Sequence, residues 1–312
     1  MCGEETAIAR VSGIFSGIPA AFRNRFVLAG ALFSALSGVF FPALLAGCAG
    51  NPPPLQEERA AEPVTAALVP RNEAAIENAR RVMSTLSQSN SRSDYASSAA
   101  FANFREISLG AIPARRLYRS SHPALPGNPR FPYAQQLAEN ARVKTVINLS
   151  DSARAAASYA ATIPWYQSFF SRNTIIVLEM GTDYTDPVFA GKLKAALLFI
   201  AANSGPFLIH DQDGTECAGF TAALLEALTG ASAEEITADY MISYENRYRI
   251  TPDSGAYRAL SALAEDALLV ITGYRAAESV NVREAAEAYL ANRLGMLPEE
   301  IAAVRARLEA KY

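Results

Sequence analysis

The stretch Phe207-Leu-Ile-His-Asp-Gln-Asp-Gly-Thr-Glu-Cys-Ala-Gly-Phe220 constrains this chain more than any other. Pro206 to Ile209 reads as a buried strand, His210 to Glu216 as a tight loop, and a helix follows from Cys217 to about Leu228. A strand that feeds a glycine-containing loop and then a helix N-terminus builds a cradle for an anion, because the loop amides and the helix dipole both favour negative charge. Yet this loop carries Asp211, Asp213 and Glu216, with no Arg or Lys inside it. Two like charges about 4 Å apart cost on the order of 4 kcal/mol at an effective dielectric near 20. A phosphate dianion facing these carboxylates is therefore repelled unless one is neutralised or a cation is bound.

His210, Gly214 and Gly219 fall on the pattern H-C-x-x-G-x-x-R, followed by Ser, Thr or Ala and then Gly. The layout resembles the phosphate-binding loop of the cysteine-dependent tyrosine phosphatases. Upstream, Asn103-Phe104-Arg105-Glu106-Ile107 and Arg116-Leu117-Tyr118-Arg119-Ser120-Ser121 are similar to the leading segment of bacterial secreted tyrosine and dual-specificity phosphatases. Val143 to Leu149 is similar to their following core strand. Glu234-Glu235-Ile236, Ala238-Asp239-Tyr240-Met241 and Tyr244-Glu245-Asn246 are similar to the helix behind their loop. The resemblance covers residues 101–312.

The resemblance implies a definite chemistry. In this family a thiolate attacks phosphorus, backbone amides and a two-pronged Arg hold the oxygens, and an Asp on a separate loop protonates the leaving group. Here Asp211 holds the nucleophile position and Cys217 the Arg position. Ala218 lacks the hydroxyl that many members place beside the thiolate, and Thr215 stands where a Lys is frequent. Gln212, Asp213 and Glu216 complete the binding loop. Asp183 or Asp186 lies where the general-acid loop is expected, although Asp186 before Pro187 also suits a helix N-cap. His210 is expected to orient the loop, and His122, before Pro123, to lie at the surface. Cys217, at a helix start, is expected to carry a lowered pKa and to be reactive.

Asp211-Gln212-Asp213-Gly214-Thr215 after an apolar strand also resembles the D-x-D-G-T signature of haloacid-dehalogenase-type phosphatases, which implies magnesium beside both carboxylates. That signature needs a later lysine, and the only one after Asp211 is Lys311. Two histidines and one unlipidated mature Cys exclude a zinc site of ordinary ligand count. A disulfide within the mature monomer is excluded as well.

The N-terminal part reads differently. Arg23 and Arg25 precede an uncharged apolar run, Phe26 to Gly47, that ends in Leu45-Ala46-Gly47-Cys48. A basic flank, an apolar segment and small residues before a cleavage point make an export signal. The ending resembles the bacterial lipobox, which implies lipidation of Cys48, and Ala49 after it implies outer-membrane sorting. The run is also long enough to span a bilayer as an uncleaved anchor. Residues 1–22 make an unusually long leader, so translation is expected to start downstream of Met1. Residues 49–100, rich in Pro, Ala, Ser, Asn and Glu, read as a flexible tether with at most a short amphipathic helix at Glu73–Leu86.

The expected layout is thus a signal peptide at 1–47, a tether at 48–100 and a phosphatase-like domain at 101–312. Strands at 143–149, 174–178 and 206–209 alternate with helices at 131–140 and 186–202. Further helices are expected near 217–229, 233–247, 255–265, 281–294 and 298–310. This pattern predicts an α/β fold with a central sheet flanked by helices and a helical C-terminal third. A chain of 312 residues, 50% apolar, can bury such a core. The net charge of -3 gives no basic stripe for nucleic acid. Expected partners are the membrane, through Cys48, and a protein or phosphorylated ligand, with no cofactor. The functional expectation is an exported pseudophosphatase that acts by binding. The alternative is a phosphomonoesterase for phosphotyrosine, phosphoinositide or inositol phosphate, using Asp211 and Asp213 with magnesium or calcium.

Overall fold

The structure is a computed structural model that describes residues 68–311. The strands are β1 (Arg105–Ile107), β2 (Leu117–Ser120), β3 (Thr145–Asn148), β4 (Ile175–Val177) and β5 (Phe207–His210). They form one sheet in the order β1-β2-β5-β3-β4. β1 runs antiparallel to β2, and the other pairs are parallel, with β5 flanked by Ser120 of β2 and Asn148 of β3 at His210. The central position of β5 explains its unbroken apolar run, since a strand covered on both faces has no solvent side on which to alternate.

Successive side chains of each strand still go to opposite faces. Leu117, Ile147, Phe207 and Ile209 join one core cluster, while Tyr118, Val146 and Leu208 join a second. The first cluster is closed by α6 (Pro187–Ala202), α7 (Glu216–Leu228), α8 (Ala233–Tyr248), α9 (Gly255–Ile271), α10 (Val282–Asn292) and α11 (Pro298–Glu309). The second is closed by α3 (Phe131–Asn140), α4 (Ala153–Ala160) and α5 (Pro164–Ser171). The architecture is the expected α/β sheet flanked by helices, with a helical C-terminal part. α7 is buried from Cys217 to Leu228, so the helix that starts at the loop runs through the middle of the larger core.

α1 (Glu73–Thr85), with Ile76 and Ala79 buried, falls on the short helix read at Glu73–Leu86, whereas α2 (Ser98–Phe101) was not expected. α1 lies along α9, and Arg71 donates to Asp266 of α9 through Nε and Nη2, at 2.6 and 2.8 Å. That counter-ion also explains why α9 continues to Ile271 rather than stopping near 265: the buried Asp266 is paired. Arg130 donates to the Ser89 carbonyl, Asn90 and the Tyr95 hydroxyl and so pins the link between α1 and α2. The signal peptide, Cys48 and residues 49–67 lie outside the described residues. Among the described residues no helix is long and apolar enough to cross a membrane.

A buried charge cluster fastens the sheet to the helices behind the loop. Arg105 on β1 grips Asp239 on α8 in a fork, with both contacts at 2.8 Å. Arg119 on β2 is fully buried and reaches the same carboxylate at 3.2 Å. Burial works against ionisation of Asp239, but the two guanidiniums outweigh it and hold the carboxyl down at about 2. Glu226 on α7 lies beside this cluster, where its protonated carboxyl can donate to Asp239. Burial first, and then the charge of Asp239, push its pKa well above the ordinary carboxylate value.

A group whose folded pKa is raised contributes stability that is present below its unfolded value, here 4.5, and lost as pH rises towards the folded pKa. Glu226→Gln keeps the shape and removes that titration. Denaturant unfolding across about pH 5 to 8 should show wild type losing stability relative to the variant. The variant should be at least as stable as wild type at the upper end. Parallel curves would mean that Glu226 does not titrate with folding.

Candidate functional site

The loop leaves β5 at His210 and returns into α7, whose N-cap, Thr215, makes no side-chain capping bond. Asp211 supplies the cap from four residues upstream. Its Oδ2 accepts from the amide of Ala218, in the first turn of α7, at 3.0 Å. Its Oδ1 accepts from the amides of Asp213 (3.0 Å), Gly214 and Thr215 (3.3 Å). The anion cradle is therefore filled by a carboxylate of its own chain, held by four backbone N–H groups.

The opposite poles of the same peptides are also held. Arg119 donates to the carbonyls of Gly214 (3.0 Å) and Thr215 (3.1 Å). Asn103 donates to the carbonyls of Asp213 and Gly214, while its own oxygen accepts from Asn246 of α8. Two glycines are required by this closeness. A Cβ on Gly214, whose φ is +76°, would stand 2.6 Å from the Ser120 backbone, and one on Gly219 would stand 2.7 Å from the Tyr240 ring.

Below the loop lies a buried polar network. The ring of His210 approaches the ring of His122 to 4.5 Å between centroids. His122 Nδ1 accepts from the amide of Ala124, which places its proton on Nε2, where it donates to Asp151 at 2.6 Å. Asn148 donates to Asp151 and to the hydroxyl of Tyr166, each at 2.7 Å. Burial, with His122 adjacent, holds the pKa of His210 well below its ordinary value, so this histidine is neutral.

The sequence model of the tyrosine phosphatase family matches residues 97–310. The chain belongs to the tyrosine phosphatase family. No curated protein matches it.

Within this tyrosine phosphatase domain the predicted loop residues come together, and several have partners that spacing did not reveal. Asp213 is ion-paired with Arg247 of α8, so a cation does enter the acidic loop, from another element. Burial pushes the Asp213 carboxyl up, opposed by Arg247. Burial, and then the charge of Asp211, raise Glu216. Gln212 is exposed, and its carbonyl accepts from the amide of His122. Asp211 and Asp213, the pair named for a divalent cation, are engaged by backbone N–H groups and a guanidinium. Among the described residues no group of three or more His, Cys, Asp and Glu is arranged to hold a metal ion.

Two expectations are corrected. Cys217 is not an activated thiol: it is 4% exposed, its Sγ donates to the Gly181 carbonyl at 3.1 Å, and burial with Asp211 and Glu216 nearby drives its pKa up. Burial first, and then the carboxylates around the helix start, outweigh the helix dipole. His122 is not at the surface but 1% exposed, because β2 carries it under the loop.

The segment holding Asp183 and Asp186 packs on the start of α7 through the Cys217–Gly181 bond and through the Tyr184 hydroxyl, which donates to the Glu216 carbonyl. Asp183 is exposed, and bonds from the Thr185 hydroxyl and amide hold its pKa down. Asp186 caps α6 by accepting from the amide of Val188 at 2.8 Å. Arg119, Asp239 and Arg105 belong to segments that carried the family resemblance, which was the available signal for them. Arg247 had none.

Asp211→Ala should expose the cradle. Leaving its amides without an acceptor is expected to cost about 1–3 kcal/mol. An added anion that binds only the folded state restores stability by mass action. Thermal unfolding should therefore show a lower Tm for the variant, rising with inorganic phosphate, while wild type responds little. Equal phosphate responses of the two proteins would show that Asp211 does not occupy the anion site.

Proposed function

We propose that this tyrosine phosphatase domain is a pseudophosphatase that acts by binding. The observation that carries this reading is the Asp211 carboxylate seated on the amides of Asp213, Gly214, Thr215 and Ala218. In the family reaction those amides serve the phosphoryl oxygens, and a thiolate at this position attacks phosphorus. Here the position offers a carboxylate, a poor nucleophile towards a phosphomonoester, whose lone pairs are already engaged. The Arg position offers a buried thiol turned to Gly181, which cannot hold two phosphate oxygens. Arg247, the cation nearest in function, is occupied by Asp213.

The purified full chain should show no turnover of an aryl phosphate above buffer, with or without magnesium or calcium. Hydrolysis that disappears in Asp211→Asn would establish the phosphomonoesterase reading instead.

We further propose that the chain is an exported lipoprotein, held at the membrane by lipidated Cys48 and presenting its phosphatase domain to a protein or phosphorylated ligand. The apolar run Phe26–Gly47 and the Leu45-Ala46-Gly47-Cys48 ending support this. Diacylated and N-acylated Cys48 supplies enough buried chain for stable anchoring. Mass spectrometry of the mature N-terminus should find acylated Cys48 as the first residue. A chain that retains 26–47 with an unmodified Cys48 would make the run a transmembrane anchor.

A further inference from the structure

Away from the loop, a cleft of about 400 Å³ opens between the end of α9, the turn after it, α10, and Tyr184–Thr185. Its volume lies within the roughly 300–1,000 Å³ of small-molecule sites. Val270 and Ile271 give it an apolar floor, and Tyr184, Tyr274 and Tyr289 give it aromatic walls. Its charged lining is Arg275 and Arg293, and no carboxylate lines it. Neither guanidinium has a carboxylate partner among the described residues. Arg275 donates through Nε to the Thr272 carbonyl at 3.0 Å, and Arg293 through one Nη to the Thr185 carbonyl. Both therefore keep uncommitted N–H groups, unlike Arg71, Arg105 and Arg247, each of which is matched to an acid; Arg275 is half-buried and Arg293 exposed at the rim.

A second observation points the same way. Tyr289 is 7% exposed, and its hydroxyl is buried without a hydrogen-bond partner among the described residues. A buried hydroxyl left unpaired is costly and calls for an acceptor. Arg293 lines the same cleft, and its charge acts on the Tyr289 phenol against the upward push of burial. Two forked cations, an unpaired hydroxyl and aromatic walls over an apolar floor match one ligand chemistry.

We propose that this cleft binds a small organic anion, with an aromatic or aliphatic body against the tyrosines and a carboxylate or phosphate group against Arg275, Arg293 and the Tyr289 hydroxyl. Such a ligand also reaches the 181–186 segment, because Arg293 holds Thr185 and the adjacent Tyr184 lines the cleft. The site is separate from the Asp211 cradle and does not depend on whether that loop is catalytic.

Isothermal titration of the full chain with benzoate and with phenyl phosphate should give saturable binding, and neutral benzamide should give none. Arg275→Gln with Arg293→Gln should weaken binding roughly tenfold or more. Tyr289→Phe should weaken it roughly threefold. Should the arginine variant fold poorly, Ala288→Phe, which fills the cleft from α10, should block binding in a protein of wild-type secondary structure. Undiminished binding in Ala288→Phe, or no binding to wild type, overturns the proposal. Binding that ignores all these changes and responds only to Asp211→Ala places the anion at the loop and overturns it equally.

Discussion

The loop keeps its shape because both poles of its peptide units are held by buried charge. Asp211 gathers the N–H ends, and Arg119, with Asn103, gathers the carbonyl ends. Each group would be expensive to bury alone, and neither is alone. Arg119 is in turn tied through Asp239 to Arg105, so the loop, β1, β2 and α8 share one charge network. This explains how the loop holds its shape around a carboxylate of its own chain. An anion is still present in the cradle, but it is covalently attached.

How much of this was legible follows from where the information lies. The strand β5, the loop and α7 were readable because an apolar run, a glycine and a helix pattern follow one another locally. The helices at 131–140, 187–202, 216–228 and 298–309 were readable for the same reason. α4 and α5 were not: Ala153–Ala160 offers an almost featureless row of small residues, and Pro164–Ser171 presents aromatic residues on several sides. The site's charge pairing was hidden for a different reason. Arg247 meets Asp213 across dozens of residues of chain, and only the return of α8 against the loop brings them together. Read locally, the loop was a run of uncompensated carboxylates, and the compensation is tertiary.

The burial of His122 and Cys217 shows the same limit. A histidine before a proline reads as a surface turn, yet β2 lies next to β5 and places the residues after it beneath the loop. A cysteine at a helix start reads as activated by the dipole, yet burial of the thiol, and then the charges of Asp211 and Glu216 at that helix end, push its pKa up. In both cases a local rule was valid, and burial by neighbouring elements outweighed it.

The internal carboxylate also sets the terms on which any outside anion can enter. An intramolecular acceptor has already lost the translational freedom that a free phosphate must surrender, and its effective concentration is far higher than that of a dissolved ion. To displace it, a phosphate would have to free the Asp213, Gly214, Thr215 and Ala218 amides from Asp211. The expelled carboxylate would then need solvent or a new partner beside Asp213 and Glu216, whose carboxyls burial first, and then the charge of Asp211, already push up. Protonation of these carboxyls at low pH weakens that opposition, whereas the cradle as it stands is closed by Asp211. Guanidinium groups outside the loop, as on Arg275 and Arg293, face no such internal competitor, since carbonyl oxygens and not carboxylates hold them.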